Sequence, residues 1–394
     1  MKSNIIDECY RKSIELVIKN STEYGLMASS TGSRAIKRNY TSVFARDAAI
    51  SSLGMVISGN RKLIKTAEKS FISLADFQAG NGQIPNLVKP EINKSDFWYL
   101  GCLDATLWWL IGIKFFDKYA KPEKLLGKRL SKNIAGAINW LEAQEHPKLY
   151  LLVQNEASDW ADIMPRSGFV LYSNCLWYWV KKLYGLNNVK DTRQSANYLF
   201  YPWQKVPEQF YKKVYRAKKL ISLIKSSEKK EDYFLSFVNY SFWGEDVDIF
   251  ANSLAILSGL AGAKKAGKVL KNLLKLRRKK MLPMSVLFKP IAENSKLWRK
   301  YMLSHKQNYP YQYHNGGIWP FASAFWAMAL ARAGKKNEAE DELKAIAMAN
   351  SKNNWQFNEW LSPKTGQPMG MSGQSWNAGM FILAYEFLRG KVRI

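Results

Sequence analysis

Histidine and cysteine are scarce in this 394-residue chain, with three of each. The cysteines (Cys9, Cys102, Cys175) are odd in number and stand at no metal-binding spacing, which excludes a disulfide-stapled scaffold and fits reduced thiols in a cytoplasmic setting. The histidines, at 146, 305 and 314, offer no ligand spacing either, so neither a metal nor another cofactor is implied. Acidic residues are short as well: 32 Asp+Glu face 59 Lys+Arg, a net charge of +27. Such a balance can mark a nucleic-acid or polyanion partner. Here the bases are scattered over predicted outer helices (264–280 and 121–133) with no nucleic-acid-binding motif beside them, which fits a solvated lysine-rich surface and no specific nucleic-acid partner. Long apolar runs are missing. The longest, Ala105–Phe116, carries Lys114 and is too short to span a bilayer, and the N-terminal MKSNIIDECYRKS has no apolar signal core. Linkers rich in Pro, Gly or Ser and solenoid repeat signatures are also absent, so residues 1–394 read as one domain.

What the chain has is helical periodicity. Amphipathic or wholly apolar helices are predicted over 3–20, 45–59, 61–79, 102–119, 129–144, 168–184, 190–200, 247–259, 262–280, 319–333, 336–350 and 373–389, with a further basic helical stretch over 207–228. Gly59-Asn60 and Gly334 are stop signals between paired helices. The first helix of each pair is the more apolar, as in DATLWWLIGIKFF before the lysine-rich 121–144. Five such hairpins, plus the first and last helices facing one another, predict an all-α (α/α)6 barrel.

The unusual polar-aromatic stretches all fall just ahead of the first helix of a pair. They are YTSVFARD (40–47), GNGQIPNLV with DFWYLGCLD (80–104), NEASDWADIMPR (155–166), NYSFWGEDVDIFAN (239–252), YHNGGIWP (313–320) and FNEWLSPKTGQPMGMSGQSW (357–376). In a ring of hairpins these positions share one rim. One cleft would then gather Arg46, Asp47, Asp104, Asp162, His314 and Glu359. The pattern suits a carbohydrate. Aromatics make up 14% of the chain, and their faces stack on pyranose rings. Arg46 and Asp47 can grip vicinal hydroxyls from both sides, donating and accepting. Asp159 and Asp162 flank Trp160, an apolar wall that favours a protonated carboxyl, and Glu359 lies between aromatics in FNEW. Two carboxylates so placed are what glycoside hydrolysis needs. The glycines after Tyr313-His314-Asn315 are expected to let backbone approach a ligand.

The set RD, GNGQIPN, DWAD, YHNGGIWP and NEW…GQSWNAG, spanning about 40–389, resembles the inverting (α/α)6 glycosidases: neutral and alkaline invertases, trehalases, amylo-α-1,6-glucosidases and, more distantly, glucoamylases. The resemblance implies a small-molecule carbohydrate substrate, a small α-glucoside. It makes Asp162, four residues before Arg166, the general acid, and Glu359 the general base. Asn86, Trp98, Asp104, Trp160, Arg166, His314, Asn315, Gly316, Trp319, Gln374 and Trp376 join Arg46 and Asp47 as expected substrate-binding residues. The acid loop departs from the invertase pattern, since Asp162 is followed by Ile-Met-Pro-Arg, so the aglycone stays open among fructose, glucose, glycerate and an oligosaccharide end. A sugar epimerase on the same barrel, and a noncatalytic carbohydrate- or polyanion-binding barrel, are the competing readings.

Overall fold

A computed structural model describes residues 4–98, 102–121, 125–227, 231–277 and 281–394. Small parts of the sequence reading lie outside them: residue 3, Tyr99–Gly101 of the second rim stretch, residues 122–124 of the basic stretch 121–133, and the ends of the stretches over 207–228 and 262–280. Six helices are buried on nearly every side: Ala45–Ile57, Leu103–Tyr119, Leu171–Tyr184, Ile249–Leu257, Pro320–Arg332 and Ser375–Leu388. A helix apolar all round is stable only when it is enclosed. Each of these packs on the next in chain order, and the last packs on the first, closing a ring. Closure is tight at one crossing. Gly54 and Gly379 face each other there, and a methyl group on Gly379 would meet the Cα of Ser51 at 2.6 Å.

An outer layer of amphipathic helices covers the ring. In Arg61–Asp76 the buried positions include Leu63, Thr66, Ala67, Ser70, Phe71 and Leu74, the spacing of a single helical face. Asn60 caps that helix through the amides of Lys62 and Leu63, behind the left-handed Gly59 (φ +69°). Ser131–Glu142, Val189–Phe200, Ala263–Leu276 and Lys336–Asn350 repeat the arrangement. Ile5–Lys19 completes it by packing on the final inner helix, where Tyr10 donates to Glu386 at 2.7 Å. The architecture is the predicted (α/α)6 barrel, and among the described residues its twelve principal helices match the predicted ones closely.

Two features differ from the sequence reading. The stretch over 207–228 breaks into Glu208–Lys213 and Ala217–Ser227, because Val214 is extended and Arg216 takes a left-handed φ of +60°. Short antiparallel strands also brace the rim: Val43–Phe44 with Leu87–Lys89 and Lys94–Asp96, Val153–Gln154 with Gly168–Val170 and Phe237–Val238, and Trp360–Leu361 with Pro368–Met369. Strands of two or three residues are too short to show alternation, so no pattern announced them.

Candidate active site

The rim stretches converge because each is tied to the start of an inner helix. Arg46 and Asp47 occupy the first turn of Ala45–Ile57. The Arg46 guanidinium donates to Asp104 Oδ1 and Cys102 Sγ, both at 3.0 Å, and to Asp162 Oδ1 at 3.2 Å. Asp104 is fully buried behind it and also accepts from Tyr172 Oη at 2.8 Å, which in turn accepts from Trp108 Nε1. Arg46 is thus a fixed strut between two inner helices and the 155–166 loop.

In that loop the two aspartates part company. Asp159 is buried, pairs with Arg166, and accepts from the Ala161 amide at 2.9 Å and from Gln154 Nε2 at 3.0 Å. Arg166 reaches past it to Asp248, the cap of the fourth inner helix. The four-residue spacing of Asp162 and Arg166 therefore does not bring them together. Arg166 serves Asp159 and Asp248, while Arg46 meets Asp162. Asp162 keeps about a third of its side chain exposed (33%) against 2% for Asp159, and it faces a cavity. Burial by the surrounding walls pushes its pKa up to about 7, against the pull of Arg46 and with help from Asp104, Asp159 and Glu359. Asp47 is also pushed up to about 7, again chiefly by burial.

Glu359 enters from the loop before the sixth inner helix, across the ring from the third, which Asp162 precedes. Its Oε1 accepts from Tyr40 Oη at 2.7 Å and its Oε2 from the Met371 amide at 2.9 Å. Burial leaves its pKa raised, although these two donors, with Arg34 and Arg38, oppose the shift.

The cavity between these loops measures about 500 Å³. Its walls include Arg46, Asp47, Trp98, Trp160, Asp162, His314, Trp319, Glu359 and Trp376. Trp160 is the hub of the aromatic wall, with the rings of His314, Trp319, Phe250 and Phe321 edge-on within 5.7 Å. His314 stacks on Trp319, and burial beside Arg166 and Arg46 holds it neutral, well below the usual histidine range. Among the described residues, Trp160 Nε1, Trp376 Nε1 and His314 Nδ1 are buried without a protein partner. Two of the lining residues, Trp98 and Tyr313, hold left-handed φ values of +62° and +44°, each at a cost of order 1–3 kcal/mol.

Other expected residues stand behind the cavity. Asp104 and Arg166 are the buried partners described above. Asn86 anchors the first inner helix, its carbonyl accepting from the Ala45 amide at 2.9 Å. Asn315 pins the 313–320 loop, taking the Ile291 amide at 2.7 Å and donating to the carbonyls of Ile291 and Asn308. Gln374 is buried at the start of the sixth inner helix, both ends of its amide without a partner among the described residues. At Gly316 and Gly317 the visible requirement for glycine is packing. A methyl group on Gly316 would strike Pro290, and one on Gly317 would strike the Tyr313 backbone and Trp360, so the pair allows the loop to pack on itself.

Tyr40, Tyr313, Arg38, Phe44, Ile163, Tyr301, Ser304 and Gln307 line the cavity without having been singled out. Tyr40 had a signal, since it opens the YTSVFARD stretch six residues before Arg46. Tyr301, Ser304 and Gln307 come from a connecting segment with a short 3-10 helix, Lys300–Lys306, and carried none. Among the described residues no group of His, Cys, Asp and Glu is arranged to hold a metal ion, and no helix is long and apolar enough to cross a membrane.

Fold and site together define the class, an (α/α)6 barrel with carboxyl groups from opposite loops facing one aromatic cavity. Within that class, residues 226–390 match the family model of the alkaline and neutral invertases, a stretch shorter than half the chain that holds His314 and Glu359 but not Arg46 or Asp162. The GH63 mannosylglycerate hydrolase of Thermus thermophilus, solved in complex with glucose, superposes with a TM-score of 0.64 at 14% identity, covering 95% of this chain and 99% of that one. The same enzyme in complex with Tris and D-glycerate gives 0.63 at 12%, with the same coverage. A wild-type glycosidase superposes at 0.63 and 15%, covering 98% of each chain. At such identities the structures testify to the fold. No curated protein sequence matches the chain. The expected resemblance to (α/α)6 glycosidases is met, in the fold over the whole chain and in the invertase family match over residues 226–390.

Proposed function

We propose that the protein is an inverting α-glucosidase acting on a small α-glucoside, with Asp162 as general acid and Glu359 as general base. One observation carries this reading: the two carboxyl groups face a single cavity from loops ahead of opposite inner helices, in unlike surroundings. With its pKa near 7, Asp162 can hold a proton at neutral pH and pass it to the departing glycosidic oxygen. Glu359, fed by Tyr40 and the Met371 amide, is the better held as an anion. It takes a proton from the water that attacks the anomeric carbon from the other face. The C–O bond to the aglycone breaks as the bond to water forms, and the configuration inverts. Such chemistry asks for carboxyl groups roughly 6.5–9.5 Å apart, with room for one water.

Arg46 and Asp47 would grip hydroxyls of the nonreducing glucose. Trp160, Trp319 and Trp376 supply apolar faces, and the partnerless indole N–H groups of Trp160 and Trp376 supply donors. The test is proton NMR of the purified protein with sucrose, trehalose, isomaltose, maltose and glucosylglycerate from the first minutes. β-Glucose appearing first from one of them is expected. α-Glucose appearing first, or interconversion of sugars without cleavage, would overturn the proposal.

A further inference from the structure

A second concavity lies on the outside of the barrel, where the outer helices Val189–Phe200 and Ala263–Leu276 come together. It measures about 690 Å³, and its lining includes Arg193, Lys264, Lys265 and Lys268. Among the described residues no carboxylate lines it. Asp232, which lies behind the Tyr201 wall, accepts the Tyr201 hydroxyl.

The cations are built in, not merely scattered. Lys265 is half-buried over the Tyr201 ring, its Nζ 4.6 Å from the ring centroid, and is held by the side-chain oxygens of Asn197 and Gln204. Arg193 is anchored by its Nε on the Leu260 carbonyl at 3.1 Å. Its terminal Nη2 lies against Gly262, where a methyl group would meet it at 3.1 Å. Gly262 is the N-cap of the 14-residue helix Ala263–Leu276 and offers no side chain to its first amides. Its φ of −66° is open to any residue, so the glycine is matched to the close approach of the guanidinium and not to a turn. The result is a cradle with a planar guanidinium, three ammonium groups and uncapped helix N–H groups around open space. Burial and the neighbouring Arg193 push Lys265 down to about 8, so the site already strains to hold its charge. An anion relieves all of these at once: guanidinium and N-terminal amides bind tetrahedral oxyanions, and the helix dipole adds to the field.

From this geometry we infer that the Arg193–Lys265–Lys268 concavity is a binding site for a phosphate group, carried by a small ligand and separate from the sugar cavity. The site goes beyond the glycosidase reading and does not depend on it.

The probes are inorganic phosphate and glucose 6-phosphate, titrated calorimetrically into the full chain, with glucose and matched sodium chloride as controls. One phosphate per chain is expected to bind. The exposed pair Lys264→Gln/Lys268→Gln should weaken it at least tenfold without moving Tm or glycoside hydrolysis. Gly262→Asp, which fills the cradle and caps the helix with a carboxylate, should also abolish it. Tighter binding of the sugar phosphate would assign a phosphorylated sugar, and equal binding would assign free phosphate. No binding of either probe, binding unchanged in both variants, or binding reproduced by matched salt would overturn the inference. Retention of heparin alone, with neither phosphate bound, would replace it with nonspecific polyanion attraction.

Discussion

Tyr40 donates its hydroxyl to Glu359, 319 residues away, at 2.7 Å. The bond steadies the carboxylate form of the proposed base. Replacing Tyr40 with Phe removes a donor to a charged group, an interaction of about 1.5–3 kcal/mol. We expect kcat to fall roughly 10- to 100-fold and the acidic limb of the pH–rate profile to move upward, because Glu359 then protonates more easily. Steady-state kinetics of Tyr40→Phe across pH would show both effects. A lower rate with an unmoved limb would assign Tyr40 to substrate binding instead.

Asp162 and Asp159 should fail differently. Asp162→Asn removes the proposed acid from a partly exposed position, and turnover should drop by roughly 10²–10⁴-fold with Tm unchanged or higher. Asp159→Asn leaves the buried Arg166 with one carboxylate in place of two, where breaking a buried pair costs about 3–5 kcal/mol. Its main effect should be on Tm, with a smaller loss of rate in the folded fraction. Equal rate losses in both variants would contradict the assignment of Asp162 as the sole acid.

The proton on Asp162 gives a pH signature. Activity should decline as pH rises through about 7, as the acid ionises. Folding follows the same group. Its folded pKa is raised above the ordinary aspartate value of 3.8, so its contribution to stability is full below that value and is lost as pH climbs to about 7. Chemical denaturation at several pH values should show this decline, and it should be shallower in Asp162→Asn. An identical slope in the variant would contradict the raised pKa.

Gly370 has a φ of +77°, and a methyl group there would press on the Glu359 carboxylate. Gly370→Ala should therefore displace the base and lower kcat at least tenfold, whereas substrate affinity, set by the far wall of the cavity, should change little. The two constants from one saturation curve decide the matter, and a pure KM effect would count against Glu359 as base.

The ring was legible in the order of the amino acids. Apolar residues repeating at the helical period, with Asn60 and Gly334 between paired helices, are local signals. Local signals suffice to say which helices are inner, which are outer and that the loops rich in acid and tryptophan share a rim. Helix–helix closure then follows because an all-apolar helix has nowhere else to go. The pairing of side chains was not legible, and came only with packing in three dimensions. Arg166 stands four residues from Asp162 yet binds Asp159 and Asp248, and Arg46 crosses 116 positions to reach Asp162. Tyr40 meets Glu359 only because the last inner helix packs back on the first, at Gly54 and Gly379. A side chain's charge is written at its own position. The burial that raises the pKa of Asp162, and the hydroxyl that steadies Glu359, come from segments joined only by closure of the ring.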